Sequence, residues 1–219
     1  MRRLAHLAWL LPLALSLSMA DALAADPAPA TSTTVQATPV YQPPARGKPR
    51  GRVGGGSRGV GGALPSLTAL VPDHTGETLA AQPSLFWNLA PLPPENAKLV
   101  FVLTNEERVE PLVEAELARP TAAGIQRIDL ASYGVELRTG LEYEWSVALT
   151  LDPSRRSRDL VTAGWIERAE PPPGLATGDP RALAAAGFWY DAFASAPPEL
   201  RRTLLRDAGL EALAPTVAP

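Results

Sequence analysis

The chain has 219 residues, a formal net charge of −3 and no cysteine. That length allows one domain with a sizeable core plus extensions. The lack of cysteine excludes disulfide stapling, thiolate zinc sites and lipid attachment at a signal-cleavage cysteine.

Charge is unevenly distributed. No acid occurs between Pro27 and Pro72, where Arg46, Lys48, Arg50, Arg52 and Arg58 lie, whereas past Ala63 thirteen bases face twenty-one acids. A basic leader is therefore joined to an acidic body.

Residues 1–24 have the three parts of a secretory signal peptide in order: Arg2 and Arg3, an apolar stretch from Leu4 to Leu17, and the small-x-small site Ala22-Leu23-Ala24. Cleavage is expected after Ala24, with Ala20 as the second choice. A membrane anchor is the competing reading, but a spanning helix needs about 20 apolar residues, and Asp21 closes this core early. No later stretch is long and apolar enough to span a bilayer. The mature chain is thus expected to be periplasmic or secreted, and not a lipoprotein.

Residues 25–40 are mostly Ala, Pro and Thr and cannot bury enough surface to offset chain entropy, so they read as a disordered linker. Residues 41–62 form a Pro/Arg/Gly-rich leader, extended or docked along a domain edge. Residues 63–170 then carry seven short β-like runs: Leu67–Val71, Ser84–Leu89, Ala97–Thr104, Val109–Leu117, Ile125–Leu130, Glu142–Leu151 and Leu160–Ile166. Leu85, Trp87 and Leu89 share one side of the second run. The third is apolar on both faces, as a central strand is. In the fourth, Val109, Val113 and Leu117 point inward. The sixth alternates most clearly, with Tyr143, Trp145, Val147, Leu149 and Leu151 on one face. Seven short strands at even spacing predict an antiparallel β-sandwich of the immunoglobulin or fibronectin kind. Leu137, Gly140 and Tyr143 have the spacing of a tyrosine corner, and Trp87 and Trp145 are expected to face each other across the core.

Residues 171–219 are expected to form a helical hairpin and tail. Asp179-Pro180 is an N-cap followed by proline at the first helical position, opening a helix to about Phe193. A second helix starts at Pro197-Pro198-Glu199 and stops at Gly209. The aromatic surface of the first, with Trp189 and Phe193, must pack on the sandwich or on a partner.

Few motifs carry chemistry. Gly55-Gly56-Ser57-Arg58-Gly59 matches the G-x-S-x-G pattern of serine hydrolases, and His74 beside Asp73 would complete a triad. That elbow needs a strand before it and a helix after it, and neither is indicated here. The same glycines lack the G-K-[ST] of a phosphate loop. Glu106-Glu107 and Glu114/Glu116 are a solvated face before they are paired catalytic carboxylates. No catalytic residue, metal set or cofactor is expected. The leader bases Arg46, Arg50, Arg52 and Arg58 fit a docked or partner-binding role, with nucleic acid disfavoured by export. Arg155, Arg156 and Arg158 sit in a loop, where a rigid scaffold often presents binding groups.

Several segments together resemble a bacterial family catalogued as domain of unknown function 928. They are Tyr41-Gln42-Pro43-Pro44-x-Arg46-Gly47-x-Pro49, Arg52, Gly54-Gly55-Gly56, Ser57-Arg58-Gly59, Leu70-Val71-Pro72, Gly76-x-Thr78, Pro83, Tyr143-x-Trp145, Gly164-x-Ile166-x-Arg168 and Gly187-Phe188-Trp189-Tyr190-Asp191-Ala192. The resemblance runs from about Tyr41 to Leu213. It departs at Leu151-Asp152-Pro153, where the family pattern suggests Cys-Asp-Pro. It implies an exported protein with no assigned catalytic residue or cofactor, accessory to membrane-bound sensors or secretion components. It also favours a docked or binding role for the leader.

The sequence therefore reads as an exported, non-catalytic envelope protein that touches another protein or a surface polymer, as an accessory element of a sensing or secretion system. Its candidate contact residues are Arg46, Arg50, Arg52, Arg58, Arg155, Arg156, Arg158, Trp189 and Phe193. A ligand- or carbohydrate-binding module is one alternative, and a hydrolase using Ser57 another.

Overall fold

The structure is a computed structural model that describes residues 39–44, 51–54 and 65–218. The signal-peptide reading of 1–24 and most of the linker lie outside the described residues, as do Arg46, Lys48, Arg50, Ser57 and Arg58.

Eight strands form two sheets: β1 Ser66–Ala69, β2 Gly76–Thr78, β3 Ser84–Ala90, β4 Lys98–Asn105, β5 Val113–Leu117, β6 Gly124–Asp129, β7 Glu142–Thr150 and β8 Leu160–Arg168. One sheet has the order β1-β3-β6 and the other β2-β8-β7-β4-β5. All pairings are antiparallel except that of β2 with β8. The protein is mainly β, with both sheets contributing to one core.

Alternation builds that core as the sequence predicts. Tyr143, Trp145, Val147 and Leu149 of β7 are buried while Glu144, Ser146 and Ala148 are partly open. Leu67, Ala69, Leu85, Trp87, Leu89 and Ile128 supply the opposite layer. Trp87 and Trp145 are both buried, one in each sheet. The corner before β7 is a tyrosine corner: the backbone N–H of Arg138 donates to the Tyr143 hydroxyl at 2.9 Å, and Gly140 turns the chain at φ 75°.

Four expectations are corrected. The strand β2 is additional; at three residues, with parallel pairing, it has too little local pattern to be read. Val109 does not point inward but is 100% exposed, because the strand starts only after Pro111, which has no N–H for a ladder. The strand covered on both faces is β3 rather than β4: Phe86 and Asn88, on its outer face, are buried as well. On β4, Val100 and Val102 stay partly open.

The fourth correction concerns the helices. The expected long helix is two, α1 Pro180–Ala185 and α2 Trp189–Ser195, followed by α3 Pro198–Asp207 and a 3-10 turn at Glu211–Thr216. Asp179 caps α1 by accepting from the Arg181 N–H. Gly187, at φ 92°, breaks the chain between α1 and α2, a left-handed turn that only glycine adopts cheaply. Gly209, at φ 69°, ends α3 as predicted.

Candidate functional site

The family-like residues converge on one joint between leader, sheets and helices. Tyr41 is 4% exposed. Its ring stacks on His74 and meets Trp189 edge-on, with centroids 5.7 and 5.0 Å away. Its hydroxyl lies 2.8 Å from His74 Nε2. The backbone around it is held from outside the leader: the Asp207 carboxylate accepts from the N–H groups of Val40 and Tyr41, and the Gln42 N–H donates to Ala184.

Other side chains of the family-like segments fasten the same joint. Trp189 Nε1 donates to the Leu70 carbonyl. The Tyr190 hydroxyl accepts from Trp145 Nε1 and donates to the Trp165 carbonyl. The Asp191 carboxylate accepts from the Leu79 N–H. Gly76 and Gly164 admit close neighbours: a Cβ on Gly76 would sit 2.9 Å from Tyr190, and one on Gly164 3.0 Å from Val71. The second described piece of leader docks too. Val53 exchanges backbone hydrogen bonds with Ala163 of β8 at 3.2 Å each way, and Arg52 donates to the Val71 carbonyl at 2.9 Å. Burial holds the Arg52 guanidinium below its ordinary value against the nearby Asp73.

Buried ionisable groups cluster here. Burial pushes the Tyr41 and Tyr190 phenols up and the His74 imidazole down, the latter against Asp73. Burial, followed by the Glu167 charge, raises Glu77. Desolvation also raises Asp191, although its hydrogen bonds pull the other way. Thr75 donates to Glu142 at the start of β7. Among the described residues no group of three or more His, Cys, Asp or Glu is placed to hold a metal ion.

The predicted contact residues separate. Arg52 is part of the joint. Trp189 and Phe193 are fully buried, stacked on each other with Phe193 edge-on to Phe86, so they present no face to a partner. This corrects the partner-facing reading: the surface they cover is the outer face of β3. Arg155, Arg156 and Arg158 are exposed in the β7–β8 loop; Arg155 and Arg156 pair with Asp152 and Asp159 beside them. His74 is engaged by Tyr41, and Ser57 lies outside the described residues.

A different surface is concave and open. A groove of about 490 Å³ runs between β6 and the C-terminal helices. Residues 123–127 form one wall, and Pro198, Arg201 and residues 216–218 the other, with Phe86 at the base. Among its described lining residues two are arginines and none is an acid. Arg201 donates to the carbonyls of Phe193 and Ala194 at the end of α2 and lies over the Phe86 and Phe193 rings. Burial, and then the charge of Arg127, holds its guanidinium below the ordinary value. Arg127 is exposed and pairs with Asp129 at 2.6 Å.

Sequence reasoning missed this groove. Arg127 reads as one polar residue in a short strand and Arg201 as one in a helix. Only the strand order, which puts β6 at a sheet edge, and the docking of α3 bring them together.

Among the described residues no helix is long and apolar enough to cross a membrane. The molecule is thus a helix-capped, two-sheet β-sandwich with an arginine-lined groove along one sheet edge. It belongs to the family described as Domain of Unknown Function (DUF928), whose model matches residues 53–213. No curated protein matches the chain. Among solved structures, the crystal structure of an engineered protein is similar at 12% identity over 49% of this chain and 21% of its own, with a TM-score of 0.33. The chain thus spans about a fifth of that protein's length, and so distant a likeness carries neither fold nor function.

Proposed function

We propose that this is an exported, non-catalytic envelope protein whose groove beside β6 receives another protein, as an accessory element of a sensing or secretion system. The observation that carries this reading is the groove itself: an open, cationic slot in a domain whose body is otherwise acidic. Concave surfaces with a few convergent polar groups are where binding concentrates. The family-like residues support it indirectly, because they are occupied in fastening leader and helices to the sandwich. That leaves the groove on a rigid frame. The strand order and the tyrosine corner support the finer reading of an immunoglobulin-like sandwich.

Site-specific photo-crosslinking tests the reading. A photoreactive residue replaces Thr216, at the groove, or Arg156, in the exposed loop, and crosslinking is carried out in the envelope fraction of the producing cell. A discrete adduct from position 216 that is absent from position 156 is expected. No adduct, or the same adducts from both positions, removes the groove as an interaction site.

A further inference from the structure

Resting on that reading of the groove, we propose a specific mode for it: the edge of β6 is a strand-addition site that takes an extended, acidic segment of a partner protein.

The backbone argument comes first. Along a strand, the N–H and C=O of successive residues turn to opposite neighbours. Phe86 turns its carbonyl to the Leu70 N–H, on the β1 side. Trp87 and Leu89 therefore turn to β6, where they meet Gln126 and Gly124 in register. The Leu130 N–H donating to Pro83 keeps the same phase. Ile125 and Arg127 must then turn their backbone groups away from β3. Among the described residues β6 pairs with β3 only, so this side is an open ladder, the template that extended peptides use.

The groove adjoins that open side. Residues 123–127 line it together with Phe86, whose side chain is on the outer face of β3, so it opens onto the outer face of β6 beside the free ladder. Four of these residues belong to β6, about 13 Å of strand. Pro198, Arg201 and residues 216–218 flank the slot on its other side, a setting that suits a single extended chain better than the edge of a folded sheet. This disfavours a second copy contributing its own acidic edge strand β5, with Glu114 and Glu116.

Charge selects the segment. Arg127 and Arg201 line the slot with no acid among its described lining residues. The Arg127 pair with Asp129 is exposed and so worth little, which leaves its guanidinium able to donate to an incoming carboxylate. Ile125 and Val217 add apolar contact. A segment alternating apolar and acidic side chains fits both features: its backbone continues the ladder, and its carboxylates reach the guanidinium groups.

Backbone and charge can be tested separately at one position. Because Arg127 turns its N–H outward, Arg127→Pro removes a ladder donor without touching the β3–β6 hydrogen bonds, while Arg127→Gln removes only the charge. Blocked pentapeptides Val-Glu-Val-Glu-Val, Val-Gln-Val-Gln-Val and Val-Lys-Val-Lys-Val are titrated into the full chain at low and at physiological salt, with backbone amide shifts as the readout. The Glu peptide is expected to shift the Ile125 and Arg127 amides, to bind more tightly than the Gln peptide, and to weaken with salt. The Lys peptide should be silent. Arg127→Gln should lower Glu-peptide affinity about tenfold, and Arg127→Pro should abolish binding of both the Glu and Gln peptides. Equal binding of the Glu and Lys peptides, shifts mapping elsewhere, or Arg127→Pro binding as well as Arg127→Gln each overturns the proposal. So does a concentration-dependent dimer lost in Arg127→Pro, which would give the slot to a second copy. If the peptides fail while position 216 still crosslinks, strand addition falls and the interaction reading stands. If position 216 yields nothing while the Glu peptide binds, the opposite holds for the cellular role.

Discussion

The hydroxyl of Tyr41 lies 2.8 Å from Nε2 of His74, and this contact joins a leader residue to the turn between the first two strands. The two rings also stack, with Trp189 closing the third side. A residue of the Pro/Arg/Gly-rich leader is thereby a core residue.

Removing Tyr41 should therefore behave as a core mutation. Tyr41→Phe loses the hydroxyl contact and should cost about 1 kcal/mol. Tyr41→Ala leaves a cavity among His74 and Trp189 and should cost about 3–5 kcal/mol. Urea unfolding of the two variants checks the ratio. If Tyr41→Ala is nearly neutral, the leader is not part of the folded unit.

The same pair gives a pH dependence. Burial lowers the His74 pKa below its ordinary value of 6.5. The unfolded chain then binds the proton first as pH falls, so stability is full above about 6.5 and is lost as pH drops from there through the lower folded value. Glu77 and Asp191, with raised values, act oppositely at lower pH: protonating them favours the folded state. The comparison is thus between wild type and His74→Gln, which keeps the carboxyl contributions. The two stability curves should diverge below neutrality, wild type falling more steeply. Parallel curves across that window would rule out His74 as the source.

Gly187 and Gly209 separate strain from crowding. Both have positive φ, but a Cβ at Gly187 would lie 3.2 Å from Pro44, whereas Gly209 has nothing within 4 Å. Gly209→Ala should cost about 1–2 kcal/mol from backbone strain alone. Gly187→Ala should cost more and should expose the leader to limited proteolysis. Equal costs with an unchanged leader would show that Pro44 does not press on this turn.

Two arginines of the sequence reading should differ sharply. Arg52→Ala removes a charged donor from the Val71 carbonyl inside the joint and should cost about 1.5–3 kcal/mol. Arg156→Ala removes an exposed pair with Asp159 and should stay within about 0.5 kcal/mol. Thermal unfolding of both variants distinguishes them. A silent Arg52→Ala would remove this residue from the joint.

The expected cleavage after Ala24 has a direct readout. N-terminal sequencing of the exported chain should begin at Ala25. A chain recovered from the membrane and still starting at Met1 would support the anchor reading instead.

Local chemistry in the sequence determined much of the frame. Alternation from Tyr143 to Leu149 specifies a strand with one buried face, Tyr143 after Leu137 and Gly140 specifies a corner, and Asp179-Pro180 with Gly209 bounds the helical region. Each depends on residues close in the chain, where side-chain period and backbone preference act directly. The tertiary structure decided what depends on distant partners. Phe86 and Asn88 are buried because helices cover the outer face of β3, and Trp189 and Phe193 turn inward for the same reason. Gly187 breaks a helix that its flanking residues alone would continue, where the leader's Pro44 packs against the turn. Arg127 and Arg201, which are 74 positions apart in the numbering, share a groove because β6 is an edge and α3 folds back beside it. Strand order and face coverage are set by long-range packing, which periodicity along a single segment does not encode.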